Sequence, residues 1–195
     1  AKGQLGQSFQ YWAPYFPNFK FFFKDIPELD LLDGNQLERY FRSTSIEVVI
    51  NCAAYTAVDQ AEAEPENAQA LNATALDSLC KLSRGKGFKL IHFSTDYVFG
   101  GTAHSPYSED DPLSPLGVYG KTKARGESVM QTSGIDGWII RTSWLFSPYG
   151  KNFVKTICSL LQNKDEINVV ADQRGRPTYA IDLAAATLKA LDQKP

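Results

Sequence analysis

Tyr119 and Lys123 stand four residues apart in Tyr-Gly-Lys-Thr-Lys, downstream of an apolar run closed by Ser94-Thr95-Asp96-Tyr97. On a helix, i and i+4 share a face with their Cβ atoms about 6 Å apart. A cation so placed favours the phenolate and lowers a phenol from its usual pKa of about 10. Such a tyrosine can hand a proton to a carbonyl oxygen while hydride reaches the carbon, which is the chemistry of a nicotinamide-dependent reductase. Thr95 meets Tyr119 only if the strand's carboxyl end and the helix face a common cleft, where open α/β sheets bind ligands. Tyr-x-x-x-Lys alone occurs by chance on solvated helix faces. Its position after the strand and Ser-Thr-Asp carries the reading.

Those residues must be positioned by alternating strands and helices. Phe19–Phe23, Glu47–Asn51, Lys89–Ser94 and Trp138–Ser143 are short, apolar and bounded by polar or glycine residues, as strands are. Helical patterns separate them: Leu5 to about Tyr15, Asp33 to Ser43, Pro65 to Arg84, Val118 to Gln131 and Asn152 to Gln162. Strands alternating with helices of this length predict crossover connections and an α/β fold with a mostly parallel, doubly wound sheet. In the Pro65 helix the stripe Ala68, Leu71, Ala75, Leu79, Leu82 carries Asn72 beside it. A buried polar residue needs partners, either a neighbouring backbone or water near the tyrosine.

The chain opens with Ala1-Lys2-Gly3-Gln4-Leu5-Gly6, which reads as the tail of a glycine-rich loop entering a helix. Gly3 and Gly6 fit the second and third glycines of G-x-x-G-x-x-G, whose backbone N–H groups approach a pyrophosphate at a helix N-terminus. The first glycine and the strand before it would precede Ala1. Asp25 follows about 20 residues later, where an acid accepts hydrogen bonds from an adenosine ribose. That favours NAD, whereas Lys24 beside it favours a 2′-phosphate, and a polar strand end explains both equally.

With 195 residues, 43% of them hydrophobic, and a net charge of −2, the chain has enough apolar content for a core but no basic run for nucleic acid or an anionic membrane. No spanning stretch or leader is visible, so we expect a cytoplasmic location. Cys52, Cys80 and Cys158 lack metal-ligand spacing and lie in apolar surroundings, predicting buried, reduced thiols. With only His92 and His104, a histidine-based metal site or triad is not expected.

Taken together, the motifs resemble those of dTDP-4-dehydrorhamnose reductases, which are extended short-chain dehydrogenase/reductases. The resemblance runs through Asn51-Cys-Ala-Ala-Tyr-Thr-Ala-Val-Asp59, Glu62-Ala-Glu-Pro-Glu66, Ser94-Thr-Asp-Tyr-Val-Phe99, Pro106-Tyr-Ser-Glu-Asp-Asp-Pro112 and Tyr119-Gly-Lys-Thr-Lys123. It continues through Arg141-Thr-Ser-Trp144, Asn152-Phe153 and Asp172-Gln-Arg-Gly-Arg-Pro-Thr178, nearly the whole chain. The resemblance implies reduction, by NADPH or NADH, of the 4-keto group of dTDP-4-dehydro-L-rhamnose to dTDP-L-rhamnose, a precursor of cell-surface polysaccharide. It implies Tyr119 as proton donor, Lys123 on the nicotinamide ribose and Thr95 on the substrate carbonyl, with Asp96 and Trp144 also on the substrate. Gly3, Gln4, Leu5 and Gly6 would lie along the pyrophosphate, Asp25 on the adenosine ribose, Asp30 and Leu31 near the adenine, and Ala54, Tyr55 and Thr56 along the nicotinamide half. Asp33 reads better as a helix N-cap. Trp144 can instead be a core or domain-interface residue, and Arg174 and Arg176, around Gly175, either meet the substrate's diphosphate or stay solvated.

On this reading residues 1–195 form an NAD(P)-binding Rossmann domain with the start of a substrate-binding region at about 145–180. The first strand and most of the C-terminal substrate domain of such reductases are not among these residues. No metal is expected, since Asp182 stands among apolar neighbours. The partner is a nucleotide-sugar, and a homodimer is left open. Two alternatives stay open: reduction of another nucleotide-sugar, and a non-catalytic, dinucleotide-binding subunit resembling the regulatory subunit of methionine adenosyltransferase.

Overall fold

The computed structural model describes residues 1–193. The elements run α1 (Gln4–Trp12), α2 (Gly34–Ser43), β1 (Val48–Asn51), α3 (Val58–Ala63), α4 (Pro65–Gln69), a π turn (Ala70–Thr74) and α5 (Ala75–Lys86). They continue with β2 (Lys89–Thr95), a 3-10 turn (Asp96–Val98), α6 (Val118–Thr132), β3 (Gly137–Thr142), β4 (Leu145–Phe146), α7 (Phe153–Leu161), β5 (Thr178–Tyr179) and α8 (Ala180–Asp192). They divide into two compact units, Asp25–Arg141 and Ala1–Lys24 with the chain from Thr142 on.

The Asp25–Arg141 unit is the α/β layer that the alternating pattern predicts. Its sheet has the order β1-β2-β3, with β1 and β2 parallel and Asn51 paired with His92 at the carboxyl end of β1. Every residue of β2 is buried, the polar Lys89, His92, Ser94 and Thr95 included, as in a strand covered on both faces. The core gathers Leu37 and Phe41 of α2, Leu76, Leu79 and Cys80 of α5, Phe88 and Leu90 at the start of β2, and Met130 of α6. Asp33 caps α2 as expected, its carboxylate accepting from the Gln36 N–H at 2.9 Å. The single helix expected from Pro65 to Arg84 is continuous but contains the π turn around Asn72. Here α6 comes so near that a Cβ on Gly126 would lie 2.4 Å from the Asn72 carbonyl oxygen.

In the other unit α1 packs on α8, burying Leu5 and Phe9 against Ala180, Ala184 and Leu188. The Trp12 indole N–H donates to the Ile181 carbonyl at 2.9 Å. Strands β4 and β5 form a small parallel pair, Leu145 with Thr178 and Phe146 with Tyr179.

Several local expectations need correcting. Phe19–Phe23 belongs to no strand. Its rings contact at i and i+2, Phe21 on Phe23 at 5.7 Å, as in an extended chain, but a strand also needs a hydrogen-bonded neighbour. The short α3, the β4–β5 pair and α8 went unforeseen, because two- to six-residue elements and an alanine-rich helix carry little periodicity. Cys158 is exposed rather than buried, since α7 buries none of its residues; Cys80 is buried and Cys52 half-buried.

Candidate active site

The end of β2 and the first turns of α6 bring three side chains of the Asp25–Arg141 unit together. Thr95, at the last position of β2, donates to the Asp96 carboxylate at 3.1 Å and accepts from the Tyr97 N–H at 3.2 Å. Thr95 also opposes the upward shift of the Tyr119 phenol. Tyr119 is 8% exposed and packs with Ala61 and Ala68, with Tyr55, Val58 and Val118 around them. The Tyr97 ring meets it edge-on at 5.6 Å. Lys123, 1% exposed, donates to the Phe93 carbonyl at 2.6 Å and lies 3.2 Å from His92 Nε2.

The electrostatics differ from the sequence expectation. Burial holds the Tyr119 phenol above its ordinary value, opposed by Thr95 and reinforced by Asp96 and Tyr97. Lys123 does not lower it here, because the amine is turned to Phe93 and His92. Burial brings Lys123 itself down to about 8, with Glu127 acting in the opposite direction. Burial also raises the Asp96 carboxyl.

Asn72 finds its partners in a loop backbone and a hydroxyl of α6. Its Oδ1 accepts from the Tyr55 N–H at 2.9 Å, and Nδ2 donates to the Tyr55 carbonyl and the Thr122 hydroxyl, both at 3.1 Å. Thr122 in turn donates to the Tyr119 carbonyl at 2.9 Å. The amide therefore ties the loop after β1 to the helical turn that carries the phenol. Of the remaining expected residues in this unit, Ala54 and Tyr55 are half-buried and Thr56 is exposed, all in that loop. Leu31 packs on the core, Asp30 accepts from the Leu32 N–H at 2.9 Å, and Asp25 accepts from the Ile26 N–H at 2.9 Å, both closing local turns.

Gly3, Gln4, Leu5, Gly6 and Trp144 belong to the other unit. Gly3 is the N-cap of α1 and supplies no side-chain cap, leaving the first-turn N–H groups to a ligand, and nothing lies within 4 Å of where its Cβ would be. A Cβ on Gly6 would lie 2.5 Å from the Ala1 carbonyl oxygen, so only glycine lets the loop fold back on the helix. This uncapped, glycine-lined helix start fits a dinucleotide's diphosphate. Gln4 Oε1 accepts from Ser147 at 3.1 Å and Asn152 at 3.0 Å. Trp144 has φ 47°, a left-handed conformation costly for a bulky residue, and is 44% exposed with its indole over Gly175. Arg174 and Arg176 are exposed. Among the described residues no group of three or more His, Cys, Asp or Glu is placed to hold a metal, and no helix is long and apolar enough to cross a membrane.

Sequence reasoning missed two buried polar residues, His92 beside the Lys123 amine and Asn51 on the other side of the His92 ring. The signal was there: a histidine inside the apolar run of β2 and an asparagine ending that of β1.

A family model described as the RmlD substrate binding domain matches residues 1–195. The structure of dTDP-4-dehydrorhamnose reductase from Bacillus anthracis, in complex with NADP, superposes with a TM-score of 0.93 at 37% identity, over 98% of this chain and 68% of that one. The chain belongs to the dTDP-4-dehydrorhamnose reductase family. Within it, the enzyme of Aggregatibacter actinomycetemcomitans is 40% identical over 97% of this chain and 64% of its own length. That of Salmonella typhimurium is 46% identical over 74% of this chain and 48% of its own. The chain thus spans about half to two thirds of the curated family members it matches.

Proposed function

We propose that the protein containing this chain reduces the 4-keto group of dTDP-4-dehydro-L-rhamnose to dTDP-L-rhamnose with NADPH or NADH, in the cytoplasm. The observation that carries the reading is the buried pair Thr95 and Tyr119 where the end of β2 meets α6, one helical turn from Lys123. A nicotinamide held there would supply the hydride for the carbonyl carbon. Thr95 and Tyr119 present hydroxyls to the carbonyl oxygen, where negative charge develops, and a donor that gains strength as charge develops raises the rate. Tyr119 gives up its proton to that oxygen. Its raised pKa keeps it protonated before reaction, which suits an acid. Burial among Ala61, Ala68 and Val118 keeps water from the phenol.

Gly3, Gln4, Leu5 and Gly6 are assigned to the diphosphate, Asp25 to the adenosine ribose, Asp30 and Leu31 to the adenine, and Ala54, Tyr55, Thr56 and Lys123 to the nicotinamide half. Asp96 and Trp144 are assigned to the substrate, the strained, half-exposed indole offering a flat face to a sugar or base. The test is NAD(P)H oxidation by the intact protein, followed at the nicotinamide absorbance, against dTDP-4-dehydro-L-rhamnose and a panel of other nucleotide-sugars. Turnover with dTDP-4-dehydro-L-rhamnose is expected; turnover only with another sugar or base moves the substrate, and no turnover with any refutes the reductase reading.

A further inference from the structure

The hydrogen bonds around Lys123 form a chain whose direction can be read from one end. The Ala53 N–H donates to the side chain of Asn51 at 3.0 Å, and a backbone N–H needs an oxygen there, so that atom is Oδ1. The Asn51 Nδ2 therefore faces His92 Nδ1, 3.3 Å away. An amide NH2 only donates, so Nδ1 accepts and a neutral imidazole carries its proton on Nε2. That N–H faces the Lys123 nitrogen at 3.2 Å. An ammonium has no lone pair to receive it.

We propose that His92 is a positioning residue for Lys123: oriented by Asn51, it donates Nε2–H to the deprotonated amine, favouring that form while the Phe93 carbonyl anchors it. The role in catalysis rests on the reductase reading above; the proton arrangement does not. A protonated Lys123 would force the ring proton onto Nδ1, against the Asn51 NH2, setting two donors face to face. Burial, followed by the charge of Lys123, holds His92 well below its ordinary value, so the ring is not a cation. Burial lowers Lys123 as well, in the direction the geometry requires.

The surroundings offer little to oppose this. From β2 the facing titratable group is His92, and along α6 it is Glu127, whose carboxylate is taken by Arg141 at 2.7 Å. The Asp96 and Tyr97 side chains of the 3-10 turn act on Tyr119, and Glu62 of α3 accepts from the Val118 N–H at 2.7 Å. The π turn brings Asn72, and α4 and α5 bring Ala68 and Leu76, none of which titrates. A neutral amine cannot depress the phenol, in keeping with a Tyr119 above its ordinary value. Lys123 then tunes the tyrosine only once it has gained a proton.

Nitrogen-15 NMR of the His92 ring in the intact, cofactor-free protein tests this without reference to turnover. A protonated Nε2 and bare Nδ1 are expected once the pH passes the Lys123 midpoint of about 8. A proton on Nδ1 of the wild type above that midpoint would overturn the proposal. Asn51→Ala removes the amide without adding charge, and Asn51→Asp keeps an acceptor for the Ala53 N–H should the alanine variant fold poorly. In either, Nδ1–H should appear and the Lys123 midpoint, followed at 13Cε, should rise by about one unit, a tenfold gain in proton affinity. Midpoints unchanged from wild type would also overturn it. An intact protein that keeps these proton positions but reduces no nucleotide-sugar would sink the reductase reading alone.

Discussion

Tyr119 lies at the centre of the proposed chemistry because it is buried near Thr95 and held protonated. Phenylalanine keeps the ring's packing against Ala61 and Ala68 and removes only the hydroxyl. In the intact protein Tyr119→Phe should lower kcat by about 10²–10⁴-fold, the usual contribution of general acid catalysis, while circular dichroism stays native. A kcat within a few-fold of wild type would remove the tyrosine as the acid and favour a dinucleotide-binding, non-catalytic role. Lys123 gives a separate, purely thermodynamic expectation. Its pKa is about 8 when folded, against an ordinary 10.5, so the unfolded chain binds more protons between those values. Stability from this group therefore rises with pH through that window, and below it the fold bears the cost of a buried ammonium. Lys123→Met removes that cost, so its advantage over wild type should be largest below the window and shrink above it. Urea unfolding of both proteins on either side reads this directly; a gap that does not change with pH would contradict it.

The element that sets the site is α6, held close to its neighbours by the absence of side chains. At Gly126 an added methyl would meet the Asn72 carbonyl oxygen at 2.4 Å, and neither backbone can move without displacing the Asn72–Thr122–Tyr119 bonds. Gly126→Ala should destabilise by about 1–3 kcal/mol, the range for overpacking, and lower activity with it. Gly85, on α5, has nothing within 4 Å of its would-be Cβ. Gly85→Ala should stabilise by about 0.4–1 kcal/mol by restricting the unfolded chain. Denaturant midpoints for the pair settle the matter; two shifts of the same sign would mean that helix propensity, not the close approach at the π turn, governs α6.

At the scale of the molecule, cofactor choice is the property most open to test. Asp25 is assigned to the adenosine ribose, whose free 2′-hydroxyl can donate to a carboxylate, whereas a 2′-phosphate would be repelled by it. Binding titrations of the intact protein should show Asp25→Ala weakening NADH more than NADPH; equal losses would remove Asp25 from that role. The relative of known structure with NADP bound makes the comparison a direct one.

Much of this protein is legible without coordinates because its signals are local. Period-two and period-3.6 patterning marked β1, β2, β3 and the helices α1, α2, α4–α5, α6 and α7, and Asp33 was recognisable as a cap because an N-cap bonds only three residues away. The spacing of Tyr119 and Lys123 put both on one helix face before any fold was known. Tertiary structure alone decided what those side chains do there. Spacing predicts a cation that lowers a phenol; packing instead buries both, turns the amine to Phe93 and His92, and leaves the phenol raised. Asn51 and His92 are 41 residues apart and become neighbours only through the β1–β2 register. The same holds for Asn72 and Thr122, and for Trp144 over Gly175. Desolvation and long-range hydrogen bonds depend on which distant residues a fold brings together, and one-dimensional spacing carries no record of that.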